Sequence, residues 1–489
     1  MLKLILIELK KVFHKKSIFV IMIIMLLFNL LNNILFYTDY DTDGNYKYLE
    51  TENLDKQKEL LEDEISKYDF NKECDISLYV NLKTKLDIIK IKKKYTSNDW
   101  QYNKINDYLY NIVEDVNIHT YQIKNNELLN KAISKLDFYE KKFESDDWKY
   151  FVNNELNSLL NEKQEIEEKI DIVKDTKEKG ELKSNLAELN LKIYILNYRL
   201  ENNVKEDNNY LNKALNNYQT SFYNLNNYSN TKKLTFEEKI NYQNIKKTFE
   251  ESKYILDNKI NYNKQNNLSY QLRTIIDDYE IFIIIAILIV ASSIVAEEFQ
   301  TGTIKLLLIK PYSRGKILLR KYLAVIIFLI FITIYLIIVQ LVIGSIFFGL
   351  SSLKIPVIIY NFNKECIVEY NIFLYMIIRI ISKIPMLLMI ITISFCFSTI
   401  INNIALSITM PLLIYIFTPS VNYLITQYKI NFLKYLINVN WNFNDYLFGE
   451  IYEIKGINFN FSIIIYLSYY ISIIIFTYLN FKKKNIKNV

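Results

Sequence analysis

Residues 279–300 read YEIFIIIAILIVASSIVAEEFQ. From Ile281 to Ala296 the stretch carries no charge; Glu280 stands at one edge, and Glu297 and Glu298 stand just past the other. An apolar run with acids only at its ends suits a helix that crosses a bilayer, which takes about 20 such residues. Working outward, five more segments have the same character: 17–37, 322–348, 384–401, 404–425 and 461–481. Any one of them alone could be a buried core helix. Six together, with Ile, Leu and Phe on every face, predict an all-α protein built on a six-helix transmembrane bundle, with 279–296 as its second span.

The chain has 489 residues and a formal net charge of +6. That average hides two different objects. Residues 38–278 hold 44 of the 53 Asp and Glu and 37 of the 59 Lys and Arg, a net of −7. The other 248 residues carry 9 acids and 22 bases, a net of +13. The bases set the orientation. Fifteen lie in the N-terminal segment 1–16, the connection 297–321 and the tail 482–489. Seven lie in the segments 349–383 and 426–460. Both termini are therefore expected in the cytoplasm and 38–278 outside, in a plasma membrane. The abundance of Asn, Lys, Ile and Tyr suggests an AT-rich bacterial genome.

Residues 2–13 predict an amphipathic helix lying in the inner interface. Leu2, Ile5, Leu6, Leu9, Val12 and Phe13 share one face, and Lys3, Lys10, Lys11 and His14 oppose it. The external segment 38–278 contains no proline and only Gly44 and Gly180, so a long helical, coiled-coil-like domain is expected. Leu182, Leu186, Leu189, Ile193, Leu196 and Leu200 form a 4-3-4-3-4 seam. Leu156, Leu160, Ile166, Ile170 and Val173 give a looser stripe before it. The polar Asp175–Gly180 stretch between them predicts the turn of a helical hairpin with arms of roughly 25 residues. An internal echo places Ser97 before Trp100 and Ser145 before Trp148. Each Ser is expected to N-cap a helix, and each Trp to anchor its packing.

Several chemistries are excluded. The three cysteines, Cys74, Cys366 and Cys396, build no disulfide framework or thiolate zinc site, although Cys74 and Cys366 would both lie outside and could bridge. His14 and His119 are too far apart for a His-rich metal motif. No GxxxxGK[ST] or GxGxxG occurs, so no nucleotide loop is recognisable. No catalytic cluster lies in the spans. The chain is expected not to be an enzyme, to hold no cofactor of its own and to bind no nucleic acid.

The connection after the second span is the most informative. Glu297-Glu298-Phe299 is followed by Gly302-Thr303, then Lys305-Leu306-Leu307-Leu308, then Pro311-Tyr312-Ser313-Arg314, and a basic helix with Lys316, Arg320 and Lys321. Thr303–Lys310 reads as a short amphipathic helix ended by Pro311, and Ser313 as the cap of the next. This pattern, with the span order and the interfacial N-terminal helix, resembles the permease subunits of type-2 ABC transporters. The resemblance covers 1–37 and 279–489 and leaves out the large insert.

The resemblance implies that 297–321 is a coupling elbow meeting a separate ATPase, through Glu297, Glu298, Gly302, Thr303, Lys305, Pro311, Ser313, Arg314, Lys316, Arg320 and Lys321. ATP and Mg would sit on that partner, and a second permease copy or paralogue would complete a dimer in the lipid bilayer. Ser292, Ser293, Gln340, Thr392, Ser394 and Thr409 could line the substrate path, or serve helix–helix contacts. Export of a peptide, antimicrobial or lipid-like substrate would fit. Arg379 and Lys383, four residues apart before the fourth span, are expected to snorkel to the outer interface. A second reading stays open. An envelope scaffold or receptor-like protein, related to phage-infection or type VII secretion accessory proteins, has a similar layout without a dedicated ATPase.

Overall fold

The structure, a computed structural model, describes residues 2–40, 51–68, 75–207, 209–229, 234–261, 264–304, 313–401, 403–452 and 454–484. The chain is all-α apart from one antiparallel pair of short strands, Val357–Asn361 and Cys366–Tyr370. Among the described residues, six helices are long and apolar enough to cross a membrane. They are span one (Lys16–Asp39), two (Glu280–Gln300), three (Arg314–Phe348), four (Ile372–Ile400), five (Ile404–Tyr428) and six (Phe459–Lys483). The chain is a multi-pass membrane protein.

The chain divides into two units. The membrane unit takes residues 1–44, 232–251 and 262–489, and the second unit takes 45–231 and 252–261. In the membrane unit, span two is the centre: 72% of its apolar window is buried, against 61% in span four and 11% in each of spans five and six. Small side chains explain that position. Ala286, Ala291, Ser292, Ser293 and Ala296 let neighbouring backbones approach closely. Ser398 of span four bonds twice across this seam, donating to the Ser292 carbonyl at 2.7 Å and accepting from the Ala296 N–H at 3.0 Å.

Several expected boundaries move. Span four begins at Ile372 rather than 384, because Asn371 caps it by accepting from the Phe373 N–H. Its Pro385 lies inside the helix. Span five is two helices, Ile404–Ile416 and Thr418–Tyr428, with Pro411 inside the first. Pro419 sits in the first turn of the second helix, where a missing N–H costs nothing. Leu268–Asp278, expected to close the external domain, instead buries Leu268, Leu272, Ile275 and Ile276 in the membrane unit's core.

In the second unit the helical hairpin is present, with arms Trp148–Ile172 and Thr176–Asn202. Gly180 does not make the turn. The turn is 173–175, where Asp175 caps the second arm by accepting from the Lys177 N–H at 3.0 Å. The seam Leu189, Ile193 and Leu196 is buried, while Leu160 is 44% exposed and Leu159 packs in its place. Leu191, Ile195 and Tyr198 bury a second face of the same helix in another cluster.

The two tryptophans open helices and are 3% and 6% exposed, as anchors should be. The capping expectation is corrected. Asp99 and Asp147, not Ser97 and Ser145, occupy the N-cap positions of Trp100–Asn117 and Trp148–Ile172. Ser145 instead ends the preceding helix. The echoed segments meet: Trp100 stacks on Phe143 at 5.2 Å and donates its indole N–H to Asp146 at 2.6 Å.

Leu196→Asp places an unpaired charge among these rings and is expected to destabilise the unit by about 3–5 kcal/mol. Leu160→Asp should stay within about 0.5 kcal/mol of wild type. Tryptophan emission of the solubilised full chain reads both, and equal red shifts would overturn the assigned register.

Candidate functional site

The N-terminal helix Leu2–Phe13 packs on span three through Phe13, whose ring meets Phe331 edge-on at 4.7 Å. Its buried face is Ile5, Glu8 and Val12, while Leu6 is exposed and the side chain of Leu2 is outside the described residues. Glu8 is 1% exposed. Its two carboxylate oxygens take different cations from span three: Arg320 Nη2 at 3.2 Å and Lys321 Nζ at 3.2 Å. Lys321 is fully buried; it also reaches Glu298 at 2.8 Å and donates to the Ile294 carbonyl at 2.8 Å. Lys11 closes the circuit on the other Glu298 oxygen at 2.9 Å. One turn on, Lys15 pairs with Glu297 and donates to the Ser293 hydroxyl at 2.7 Å.

The arrangement ties three helices at one end of the bundle. Desolvated charges persist only when paired and hydrogen-bonded, so the ionic contacts fix the helix in one register on spans two and three. The elbow residues divide accordingly. Glu298, Arg320 and Lys321 turn inward and are unavailable to a partner. Arg314 is also engaged, donating to the Lys482 and Lys484 carbonyls at 2.7 and 3.0 Å and so capping span six. Gly315 lies against span six, where an added Cβ would fall 2.9 Å from the Tyr478 ring. Gly302 ends span two with φ +71, a backbone that favours glycine. Ser313 caps span three by accepting from the Lys316 N–H. Thr303, Ser313 and Lys316 remain exposed, and Glu297 half so. Lys305, Pro311 and the expected helix from Thr303 to Lys310 lie mainly outside the described residues.

The expected path residues do not converge. Ser292 and Ser293 donate to the Ile289 carbonyl in their own helix, at 3.2 and 2.6 Å. Thr392 joins Tyr322, which also meets Tyr470 at 3.0 Å. Ser394 is buried, and Thr409 is exposed on span five. Gln340 belongs to a buried amide cluster: it accepts from Asn29 at 2.7 Å and donates to Asn33 at 3.1 Å. Apart from the exposed Thr409, and Ser394, whose buried hydroxyl has no hydrogen-bond partner, these are the contacts of a bundle interior.

A second ionic cluster closes the other end of span two. Eighteen residues from Glu280 to Glu298 along one helix put the two clusters about 27 Å apart, close to the hydrocarbon thickness. Lys383 pairs with Glu280 and, at 3.0 Å, with Asp277; Arg379 pairs with Asp277 at 2.5 Å. The snorkelling expectation is corrected, because both cations have carboxylate partners inside the chain. Cys366 and Cys396 are free thiols, and the Cys74–Cys366 bridge involves a residue outside those described. Among the described residues no cluster suited to a metal ion occurs.

Sequence reasoning missed Glu8, Asn29 and Asn33 as site residues. Glu8 carried a signal: it is the single acid in residues 1–37 and falls on the Ile5–Leu9–Val12 stripe. Asn29 and Asn33 carried another, since i and i+4 on an apolar span share one face.

Glu8→Gln leaves Arg320 and Lys321 short of a charge and should destabilise the solubilised chain by about 3–5 kcal/mol. Glu8→Gln with Lys321→Met should recover part of that loss, and strict additivity would refute the pairing. At Asp277 burial opposes ionisation, but Lys383 and Arg379 outweigh it and hold the carboxyl below the usual Asp range. Its contribution is therefore complete above about pH 4 and is lost as pH falls through the lower folded value. Asp277→Asn should flatten that acid limb of a melting-temperature profile, and an unchanged limb would count against it.

Comparison with known proteins gives one relative, an uncharacterized protein, YhcI, of Bacillus subtilis (strain 168). It is 28% identical over 243 residues, spanning 49% of this chain and 77% of the relative. No solved structure matches the chain. A family model described as a protein of unknown function, DUF2705, matches residues 226–487, more than half of the sequence and the whole stretch from span two to span six. The chain belongs to the DUF2705 family.

Proposed function

We propose that the chain is the membrane subunit of an ATP-driven ABC transporter of the plasma membrane, working in pairs with a separate ATPase that carries ATP and Mg. Its cargo would be a peptide, an antimicrobial or a lipid-like molecule moved outward. The observation that carries this reading is the buried tie of Glu8 to Arg320 and Lys321, joined through Lys321 to Glu298. A push on the connection between spans two and three would pass into both spans and the N-terminal helix together. Charge bias along the sequence favours a cytoplasmic position for this end, where a motor would meet it. The exposed Thr303, Ser313 and Lys316 offer the surface.

The envelope-scaffold reading stays the alternative; a leucine seam facing another copy would favour it, and the seam's central residues Leu189, Ile193 and Leu196 are buried within the chain.

The test is co-purification from the native host, with ABC ATPase subunits identified by mass spectrometry. The ATPase should accompany the wild-type chain in the presence of Mg-ATP. Lys316→Glu, at a side chain with no ion pair or hydrogen bond among the described residues, should weaken retention by about tenfold without lowering the melting temperature. Wild-type chain that retains no ATPase, or a Lys316→Glu variant that retains it fully, contradicts the proposal.

A further inference from the structure

Two clefts open side by side in the membrane unit at the Asp277 end of the bundle. They lie between the end of span five and the segment that leads into span six. One, of about 400 Å³, is walled by Lys429, Lys434 and Lys455. The other, of about 450 Å³, is walled by Asn422, Asn438, Trp441 and Asn442. Thr426 and Ile454 belong to both walls, so the two form one trough.

The lysines come from three separate local structures. Lys429 follows span five in a left-handed backbone, Lys434 lies in the turn Asn431–Tyr435, and Lys455 precedes span six. None has an acidic partner among the described residues, where Glu237 is the one acid on their wall; the adjoining wall adds Asp445, and Glu450 paired with Lys247 at 3.1 Å. On that wall, three ammonium groups against one carboxylate make a site for an anion with several oxygens, such as a phosphate.

The neighbouring cleft asks for something else. Asn422 Oδ1 in its wall is buried without a hydrogen-bond partner, and beside it the side chains of Asn438 and Trp441, 6% and 2% exposed, make no hydrogen bond among the described residues and keep their polar atoms open to the cleft. Buried polar groups are normally satisfied, so the unpaired Asn422 oxygen, with an amide and an indole N–H open to the same cleft, marks a place for a ligand's own polar groups. The amide offers donors and an acceptor, and the indole a donor, which is the complement of hydroxyls. Around the trough, Tyr428, Phe432 and Tyr435 are 66%, 71% and 58% exposed. Exposed aromatics at the end of an apolar span mark the interface where lipid headgroups lie.

We propose that this trough binds a polyol phosphate, its phosphate on Lys429, Lys434 and Lys455 and its hydroxyls on Asn438 and Trp441, and that the headgroup of an anionic lipid supplies it. The proposal is independent of any transport role, because it concerns the opposite end of the bundle from the Glu8 tie.

Native mass spectrometry of the full chain released from mixed nanodiscs tests it, with phosphatidylglycerol, phosphatidic acid and phosphatidylcholine as probes. Phosphatidylglycerol should be retained about tenfold over phosphatidylcholine. Combined Lys429→Gln, Lys434→Gln and Lys455→Gln should reduce it to the phosphatidylcholine level. Asn438→Leu should remove the preference for phosphatidylglycerol over phosphatidic acid while keeping the preference for charge. The melting temperature of each variant separates lost binding from lost fold. Should Asn438→Leu fail to fold, Trp441→Phe, which removes the indole donor together with part of the ring's volume, reads the same preference, its melting temperature reporting the packing loss.

Soluble glycerol phosphate supplies the second arm. Competition by it would assign the shared chemistry to a free polyol phosphate, and its failure beside retained phosphatidylglycerol would assign it to the lipid. Equal retention of the three lipids with no binding of glycerol phosphate overturns the proposal, leaving solvent alone in the trough. Retention unaffected by the lysine substitutions overturns it too.

Discussion

A carboxylate with almost no contact with solvent, set between a guanidinium and an ammonium of the next helix over, is the constraint around which one end of this protein is arranged. Glu8 pairs with Arg320 and Lys321 at 3.2 Å each, with Lys11 of its own helix farther off at 3.8 Å. Without it Arg320 would be an uncompensated charge in an apolar surround, which costs several kcal/mol, and Lys321 would keep Glu298 alone. The pairing therefore acts less as added stability than as a fixed register. It sets where the N-terminal helix lies, which way Arg320 and Lys321 point, and which of the two acids at the end of span two faces inward. Lys316, one turn before Arg320 on the same helix, is left exposed.

The opposite end of span two repeats the device with different partners. Asp277 and Glu280 hold Arg379 and Lys383, so the central helix is pinned by charges at both ends and by small-residue packing between. The hydrophobic effect does not hold apolar helices together inside lipid, where tails are as apolar as leucine. Ionic ends, the amide cluster of Asn29, Asn33 and Gln340, and hydroxyl bonds such as Ser398 to Ser292 supply specificity instead.

Much of this was legible in the sequence. Runs such as 281–296 declare spans because their length and lack of charge meet a physical requirement of the bilayer. The seam from Leu182 to Leu200 declared the hairpin for a similar reason, since its 4-3 spacing repeats one helical face. The departures have causes too. Gly180 looked like a breaker, but a single glycine is tolerated inside a helix when a capped turn lies just before it at Asp175. Ser97 and Ser145 looked like caps until the acids nearer each Trp took the position. Arg379 and Lys383 looked bound for the interface because their partners, Asp277 and Glu280, are a hundred residues away in sequence. Glu8 was hidden by the same distance: a carboxylate on an apolar stripe signals a buried partner without naming it.

The central claim is that the N-terminal helix is locked to spans two and three by charge, rather than resting on the membrane surface by its apolar face alone. Amide hydrogen exchange over residues 5–12 in lipid nanodiscs tests it most directly. The account predicts strong protection in the wild-type chain and loss of that protection on Glu8→Gln, with spans two and three still protected. Equal protection of residues 5–12 in both proteins would contradict it and return the helix to a surface anchor.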